Sequence, residues 1–443
     1  MKYTTNNPRQ LAVMTLVRTS NGSYSNLQIN AVIQSTSMGA ADKALFTNIV
    51  YGVIQHRLTL EYQLHPFLRD PEKTENWVKE LLYTAMYQLE YLDRVPKRAI
   101  FDETIKIAKV MGHDGTRRFV TGILHQMDRK GTPKLADIQD EKTRLSVEYS
   151  VPTWLVDMLQ QQLGDKKTTS ILASLNKAPK QSVRTNTAKI SRDHLLEDLA
   201  KNGFDAEPSE VSSEGIIIND GQIVHSDFFE DGLLTIQDES AMLPVESMTI
   251  NATDTILDAC SAPGGKTTQI ASRLDDGKVF ALDIHKNKLK TVMRNATRLG
   301  VYKNVETFEL DARKVDSKFE DGMFDAVLVD APCSGLGLLR RKPEIRYDKT
   351  VADIDRLSNI QLQILNAVST KVKTGGTITY STCTIVKQEN QDVIEKFIAA
   401  NPNFEVTKTK TERNLNPDSD MVQIYPDDYD SDGFFVCSLI RKS

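Results

Sequence analysis

Apolar residues recur at helical spacing through the first third of the chain. In Asn76–Val95 they fall on one face of a helix, three or four residues apart, at Trp77, Leu81, Leu82, Met86 and Leu89. The first residue of this segment is a candidate N-cap, and Pro96 is a candidate stop. Further helices are predicted over Phe101–Met111, with Gly112 as a C-cap, and over Arg117–Met127. The pattern predicts an all-α bundle in residues 1–135.

The pattern changes at Lys130–Lys134, where a Gly-Thr-Pro sequence predicts a loop and a domain boundary. Residues 140–250, which include the predicted linker domain 136–235, mix helical patterns with strand-like runs, at Pro152–Gln162, His194–Gly203, Gly215–Ile218 and Leu233–Gln237. The polar stretch 176–187 between them predicts an irregular connection. We expect a small α+β linker domain here.

Strand-like and helical runs alternate from Asp254 onward, which is typical of a doubly wound, largely parallel sheet. The predicted strands are Thr255–Ala259, Lys278–Ile284, Val305–Leu310, Phe324–Asp330, Gly376–Tyr380, Phe404–Thr407 and Phe434–Ile440. The predicted helices include Lys266–Arg273, Lys286–Leu299, Asp353–Val372 and Lys387–Ala400. Because no helix separates the last two strands, they predict an antiparallel pair at one edge of a catalytic domain spanning 236–443.

Composition narrows the class of protein. A chain of 443 residues exceeds what one hydrophobic core usually supports, so several domains are expected. No run is long and apolar enough to span a membrane, and the start lacks the apolar core of a signal peptide, so we expect a cytoplasmic protein with no membrane partner. All four cysteines lie after residue 259 and none forms a CxxC pair, which predicts reduced thiols and no metal site.

The net charge of −5 by itself argues against a nucleic-acid partner, but the charge is unevenly distributed. Residues 1–140 hold 18 Lys and Arg against 14 Asp and Glu, and much of the negative charge lies in the acidic segment 418–432, for which the sequence offers no role. Candidate phosphate contacts are the basic clusters Lys97-Arg98, Arg117-Arg118, Arg129-Lys130 and Arg340–Lys342.

Candidate chemistry lies just past three of the predicted strands. A Pro-Gly-Gly turn lies within Asp258–Lys266, and Cys333 and Cys383 lie in the turns after two later strands. Ligands of open parallel sheets bind at the carboxyl ends of the strands, so we expect these residues to share one crevice. There a glycine turn suits a nucleotide-like cofactor, and a thiol is a candidate nucleophile.

The glycine turn matches neither GxGxxG nor GxxxxGK[ST], so it does not favour NAD or ATP. Asp283 ends a strand 18 residues beyond Gly265, where a carboxylate suits a ribose diol, and Asp311 ends the next strand, within reach of an adenine amine. Each aspartate alone is equally well explained as a helix cap. Together they favour a nucleoside without phosphates, and S-adenosylmethionine is the obvious candidate.

Two strand-end thiols suit methyl transfer to a pyrimidine. Cytosine C5 is not nucleophilic until a thiolate adds to C6, and afterwards the thiol must be eliminated. Asp330 would hold the base through N3 and N4. Packing is the alternative explanation for a cysteine, and we favour it for Cys260 and for Cys437, which lies inside a predicted strand.

These segments resemble the motifs of the RNA (cytosine-5) methyltransferases: Asp258–Thr267, Asp330–Gly335 and Ser381–Thr384. Flanking segments are similar too, at Pro152–Leu155, Gln237–Ala241 and Asp432–Phe435, and the first third resembles the NusB-type RNA-binding domain. The resemblance covers nearly the whole chain. It implies a Rossmann-like class I methyltransferase domain with a mostly parallel seven-stranded sheet, and 16S ribosomal RNA of the small subunit as the substrate.

The resemblance also implies residue roles. Cys383 would be the nucleophile, Cys333 would assist product release, and Asp330 would position the cytosine. DNA cytosine methyltransferases use a Pro-Cys cysteine instead, which here would be Cys333. Ser261 stands where many family members have alanine. The implied cofactor-binding residues are Cys260, Ser261, Ala262, Pro263, Gly264, Gly265, Lys266, Asp283, Asp311 and Asp330.

Two other functions share parts of this sequence pattern. A non-catalytic RNA-binding or assembly factor is disfavoured by the intact cysteine pair with Asp330. A DNA cytosine methyltransferase is disfavoured by the Thr-Cys motif and by the lack of an identifiable target-recognition domain.

Overall fold

The computed structural model describes residues 5–22 and 24–442, and they form two compact units. The first unit holds the described residues through Asn176 together with Arg341–Asp348. The second unit holds Lys177–Arg340 and the described residues from Lys349 onward. The first unit therefore includes a short segment from the second half of the sequence.

The first unit is helical, as predicted for residues 1–135. Its helices are α1 Pro8–Thr19, α2 Ser25–Ser35, α3 Ala40–Gln55, α4 Arg57–Leu64, α5 Asn76–Tyr91, α6 Lys97–Met111, α7 Asp114–Lys130, α8 Glu141–Tyr149 and α9 Thr153–Ser174, with a further turn of helix at Ile345–Asp348. The predicted apolar face of α5 packs in the core, where Leu81, Leu82 and Met86 are buried.

The ends of these helices confirm one predicted cap and correct another. Gly112 ends α6, and its N–H donates to the Ala108 carbonyl oxygen. Asn76 is the first residue of α5, so the prediction that it caps the helix was wrong: its side-chain amide donates to Ser20 Oγ instead. Helix α5 also ends before Pro96, which is the N-cap of α6.

The segment Arg341–Asp348 is anchored among the helices of the first unit. The Arg346 guanidinium is fully buried and donates to the carbonyl oxygens of Tyr149 (3.2 Å) and Ser150 (3.1 Å). The Tyr347 hydroxyl donates to the Ile54 carbonyl oxygen at 2.9 Å. A buried guanidinium needs such partners, because an unpaired one would cost several kcal/mol. No pattern of the sequence predicted this insertion.

The second unit begins with a small antiparallel sheet whose strand order is β2-β3-β1-β4. The strands are β1 Gln181–Thr185, β2 Asp205–Pro208, β3 Gly215–Asp220 and β4 Leu234–Ile236, accompanied by α10 Arg192–Lys201 and α11 Asp227–Glu230. The prediction of an irregular 176–187 was wrong, because β1 is an inner strand. The polar side chains of β1 obscured its strand pattern, because they are buried through hydrogen bonds to distant residues. Arg184, for example, is buried and donates to Gln237 Oε1 and Thr268 Oγ1, both at 3.0 Å.

The large sheet has the predicted architecture. Its strands are β5 Thr255–Asp258, β6 Lys278–Asp283, β7 Val305–Glu309, β8 Phe324–Asp330, β9 Val372–Thr382, β10 Phe404–Thr407, β11 Val422–Ile424 and β12 Phe434–Arg441. Seven of them run in the order β10-β12-β9-β8-β5-β6-β7, and β11 pairs with β12 outside that path. Strands β5 to β9 pair in parallel, whereas β12 is antiparallel to both of its neighbours, which confirms the predicted edge pair.

Helices connect the parallel strands of the large sheet. The helices between parallel strands are α13 Gly265–Ala271, α14 Lys286–Leu299 and α15 Val351–Ser369, whereas α12 Leu243–Glu246 precedes β5 and α16 Gln391–Ala400 leads from β9 to β10. The inner strands are buried apolar runs, such as Ala326–Val329, as expected for a sheet covered on both faces. This burial fixes the strand register, and therefore which residues emerge at the carboxyl ends.

The described residues, 5–22 and 24–442, lack two kinds of feature. None of their helices is long and apolar enough to cross a bilayer. None of their His, Cys, Asp and Glu side chains form a group of three or more that is suited to hold a metal ion.

Candidate active site

Three neighbouring strands, β5, β8 and β9, carry the predicted site at their carboxyl ends. They run in parallel, with Asp258 beside Leu328 and Asp330 beside Ser381 in the register. Cys383 directly follows the last residue of β9. The topology therefore brings all three motifs to one edge of the sheet.

The two cysteines at these strand ends lie in contact. The Sγ atoms of Cys333 and Cys383 are 3.3 Å apart, and both residues are half-buried free thiols. The hydrogen bond with Cys383, together with burial, raises the pKa of the Cys333 thiol well above its ordinary value. Cys333 is therefore held as a neutral thiol next to Cys383.

A charged pair lies between the cysteines and the glycine turn. Lys266 Nζ and Asp330 Oδ2 are 2.8 Å apart, and the Ser381 hydroxyl donates to Asp330 Oδ1 at 2.9 Å. The Lys266 ammonium also lies 4.9 Å from the centroid of the Phe434 ring. The Asp330 carboxylate is thus held in one orientation while staying partly open to solvent.

The glycine turn is enforced by the protein's own packing. Gly264 has a φ of +103°, a conformation that favours glycine. A Cβ atom on Gly264 would lie 3.0 Å from the Val292 Cα. The turn therefore needs glycine in order to pack on α14.

A cavity of about 180 Å³ opens beside this turn. It is lined by Ile236, Gln237, Ala241, Asp258, Cys260, Ser261, Ala262, Pro263, Gly265, Lys266 and Asp330. The lining includes seven of the ten predicted cofactor-binding residues and omits Gly264, Asp283 and Asp311.

Asp258 is a site residue that the sequence reasoning missed. Its carboxyl is fully buried, and Oδ2 accepts from the Thr267 hydroxyl at 2.6 Å. Burial, reinforced by the negative charge of Asp330, raises the pKa of this carboxyl to about 7. Its place at the end of a predicted strand was the available signal. Gln237 and Ala241, which also line the cavity, belong to the flanking segment Gln237–Ala241, for which the sequence predicted no role.

The other two predicted acids lie farther along the same edge, after β6 and β7. Asp283 Oδ1 accepts from the His285 amide at 2.8 Å. Asp311 caps the 3₁₀ helix Ala312–Ser317 and pairs with Arg313 at 2.7 Å, which lowers the pKa of its carboxyl. A capping role therefore accounts for Asp311 without any ligand.

The remaining cysteines differ from the contacting pair. Cys260 lines the cavity, and burial raises the pKa of its thiol. Cys437 is fully buried in β12, and burial raises its pKa as well. Neither sulfur is placed as a thiolate nucleophile.

One residue of the basic cluster Arg340–Lys342 binds to the acidic segment 418–432. Arg340 is buried, donates to the Pro426 carbonyl oxygen at 2.6 Å and pairs with Asp430 at 3.3 Å. Lys177 Nζ lies 3.5 Å from the same carboxylate. Arg340 is thus occupied within the protein, and the prediction that it contacts phosphate was wrong.

The strand order now defines the class of protein. Leaving aside the short β11 and counting from β5, the large sheet runs 3-2-1-4-5-7-6 with an antiparallel strand next to one edge. The sheet has this strand order, a glycine turn follows its first strand, and residues at the carboxyl ends of the strands line a cavity. Together these features define a Rossmann-like methyltransferase.

Comparison with family models agrees with the fold. Residues 245–440 match the model described as 16S rRNA methyltransferase RsmB/F. Residues 6–129 match the NusB family, and residues 151–225 match the ferredoxin-like domain of RsmF/B-like methyltransferases.

Relatives with full-length coverage identify the family. The chain is 39% identical over 441 residues to the probable ribosomal RNA small subunit methyltransferase B of Bacillus subtilis, covering 98% of both chains. It is 32% identical over 403 residues to the Escherichia coli K12 ribosomal RNA small subunit methyltransferase B, covering 90% of this chain and 91% of that one. The chain belongs to the ribosomal RNA small subunit methyltransferase B family.

Solved structures share the fold. The crystal structure of PH0851 matches with a TM-score of 0.84 at 23% identity, covering 100% of both chains. A methyltransferase homologue from Pyrococcus horikoshii matches with a TM-score of 0.59 at 27% identity, covering 69% of this chain and 100% of that one.

Proposed function

We propose that this protein transfers the methyl group of S-adenosylmethionine to C5 of a specific cytosine in 16S ribosomal RNA, through a covalent adduct with Cys383. The observation that carries the proposal is the contact of two free thiols, 3.3 Å apart, beside the oriented carboxylate of Asp330. Methyl transfer from S-adenosylmethionine to a heteroatom does not need a pair of thiols, whereas transfer to a pyrimidine carbon needs one thiol to add and benefits from a second at elimination. Membership of the family supports ribosomal RNA as the substrate.

The cavity suits the cofactor. Asp258 Oδ1 is buried there and makes no hydrogen bond with a side chain of the described residues, so it is available to a cationic or N–H-bearing ligand. S-adenosylmethionine carries both an ammonium and a sulfonium, and when bound it supplies an electrophilic methyl group. We assign its binding to the turn Cys260–Lys266 and to Asp330, with Asp283 and Asp311 for the ribose and the adenine.

The chain's own residues provide the rest of the chemistry. The Cys383 thiolate adds to C6 of the cytosine, and the new S–C6 bond makes C5 nucleophilic. Asp330, held by Lys266 and Ser381, accepts from the N4 amino group of the base. After C5 has accepted the methyl group it gives up its proton to a solvent water molecule, the electron pair of that C–H bond re-forms the C5–C6 double bond, the S–C6 bond breaks, and Cys383 leaves as a thiolate. Cys333, a neutral thiol in contact with Cys383, assists this release.

We further propose a division into three domains with separate tasks, at 1–135, 136–235 and 236–443. The first would supply affinity for RNA, because it carries the positive charge balance and exposes Arg129 and Lys130 at the end of α7. The last would supply the chemistry, since every residue assigned above lies within it.

Methyl transfer from labelled cofactor tests the proposal. Ribosomal RNA from a strain lacking the gene, and in a parallel reaction DNA from the same strain, is incubated with purified protein and labelled S-adenosylmethionine, and bisulfite sequencing locates the product. Label at one 16S cytosine is expected. If the protein binds this RNA without transferring label, it is an assembly factor, and if label enters DNA instead, it is a DNA methyltransferase.

A further inference from the structure

A buried carboxylate that plays no part in the mechanism above joins the two cysteine loops. Glu389, at the end of the 3₁₀ helix Lys387–Glu389, is fully buried. Its Oε1 accepts from the backbone N–H of Ser334 at 2.8 Å, and its Oε2 accepts from the Ser334 hydroxyl. That hydroxyl also lies 2.9 Å from Thr384 Oγ1. Ser334 follows Cys333, and Thr384 follows Cys383, so one side chain ties together the residues after both cysteines.

The loop of Cys333 is held on its other side as well. Gln361, fully buried on α15, donates from Nε2 to the Pro332 carbonyl oxygen and to Glu389 Oε1, both at 3.0 Å. Pro332 and Ser334 flank Cys333 in the sequence. The backbone on each side of this thiol is therefore fixed to the same pair of side chains.

The next residue does the same for Cys383. Asn390 is fully buried, and its Oδ1 accepts from the Thr382 hydroxyl. Its Nδ2 donates to the Thr384 carbonyl oxygen at 3.2 Å. Thr382 and Thr384 flank Cys383. Two consecutive residues therefore hold the two cysteine loops. Glu389 holds the Cys333 loop together with Gln361, and Asn390 holds the Cys383 loop on both sides.

Burying a carboxylate in a protein core costs free energy, because the charged group loses its hydration. Burial raises the pKa of Glu389, which reflects the cost of a charge in this environment. Apolar side chains of similar volume usually pack as well or better. An apolar side chain would, however, leave the Ser334 N–H unpaired and the Ser334 hydroxyl with only Thr384 as a partner, so the Cys333 loop would be held at Pro332 alone. The network is therefore better explained by the position of the thiols than by stability.

We propose that Glu389 and Asn390 are positioning residues that fix Cys333 and Cys383 at contact distance, Glu389 acting on Cys333 and Asn390 on Cys383. This inference rests on the proposed function for its kinetic consequences, but the geometry that it asserts is independent of that function. Loss of Glu389 displaces the thiol that assists release. Loss of Asn390 displaces the thiol that adds to C6.

Thiol cross-linking tests the geometry without RNA. Diamide takes two electrons and two protons from the contacting thiols and leaves one disulfide, which peptide mass spectrometry assigns to Cys333 and Cys383. In Glu389→Gln the amide keeps one acceptor for the Ser334 N–H but has none for its hydroxyl. The disulfide is then expected to form about tenfold more slowly or worse, since small displacements of reacting atoms have large effects on rate. Glu395→Gln, on the exposed face of α16, is the matched control and should react at the wild-type rate.

Kinetics with RNA distinguish the two residues. Glu389→Gln should lower kcat about tenfold to a hundredfold with little change in the KM for RNA, and should accumulate covalent adduct on a denaturing gel. Asn390→Ala should lower kcat without accumulating adduct. Ser334→Ala, which removes only a hydroxyl, should resemble Glu389→Gln, and the double variant should show less than additive loss.

The proposal is wrong if Glu389→Gln, or Ser334→Ala where the first variant does not fold, keeps the wild-type rates of cross-linking and of methyl transfer while only lowering Tm. In that case Glu389 is merely structural. If wild-type protein transfers no methyl group but cross-linking slows in both variants, the positioning role stands and the proposed function fails.

Discussion

Asp258 gives the folded protein a specific dependence on pH. Its carboxyl is fully buried and has a pKa of about 7, against 3.8 for the ordinary group. Below about pH 4 the carboxyl is protonated in both the folded and the unfolded chain, so its burial does not lower the free energy of unfolding through ionisation. As pH rises to 7 the unfolded chain loses this proton and the folded chain keeps it. The free energy of unfolding therefore falls by about 1.4 kcal/mol per pH unit, in total by about 4 kcal/mol, and stays lower above pH 7.

The variant Asp258→Asn removes this penalty, because its amide oxygen still accepts from Thr267 and does not ionise. We expect it to match wild type near pH 4 and to be more stable by about 4 kcal/mol at pH 8. Urea unfolding followed by circular dichroism measures the difference. Both tryptophans, Trp77 and Trp154, lie in the first unit, so tryptophan fluorescence follows the unfolding of that unit only. An unfolding transition that is seen by circular dichroism but not by tryptophan fluorescence therefore belongs to the second unit, which contains Asp258.

The control for this prediction is Asp276→Asn, an exposed carboxyl in the same unit, which should leave the pH dependence unchanged. A gap between Asp258→Asn and wild type that is the same at pH 4 and pH 8 would refute the reasoning. It would mean that Asp258 is ionised in the folded protein at neutral pH.

Two further predictions concern the proposed ligands. Asp283→Ala should weaken S-adenosylmethionine binding at least about tenfold, because two hydroxyl hydrogen bonds of roughly 1 kcal/mol each are lost; calorimetry on folded protein measures this, and unchanged affinity removes Asp283 from the site. Replacing Arg129 and Lys130 together by Ala in the full chain should make the plot of log affinity for rRNA against log salt shallower by about 1.5, since two phosphate contacts disappear. Lys396→Ala, exposed on α16, is the control, and an unchanged slope would mean that the first domain serves another purpose.

Much of the fold follows from local pattern. The parallel strands were predictable because they are buried apolar runs, such as Phe324–Asp330, separated by amphipathic helices. Convergence of Cys333 and Cys383 was predictable too, because parallel neighbouring strands end at the same edge. In contrast, strand β1 was not predictable from local pattern, because its Arg184 is buried by hydrogen bonds to Gln237 and Thr268. Both partners lie more than 50 positions away in the sequence.

The parts that the sequence did not reveal depend on distant partners. Arg346 reads as an exposed charge until Tyr149 and Ser150 are brought around it. Glu389 likewise reads as a surface residue of a helix, and only the fold places Ser334 against it. At Asp311 two roles coincide, since an acid that the sequence places for a ligand also caps the next helix.

The most direct test of the account is the fate of the RNA adduct when each contacting thiol is removed. Cys333→Ala and Cys383→Ala are each incubated with rRNA and S-adenosylmethionine and run on a denaturing gel. The account predicts a slowly migrating protein–RNA band for Cys333→Ala, which adds to the base and fails to release it. It predicts neither band nor methylation for Cys383→Ala. A trapped band with Cys383→Ala, and none with Cys333→Ala, would contradict the assignment and make Cys333 the nucleophile.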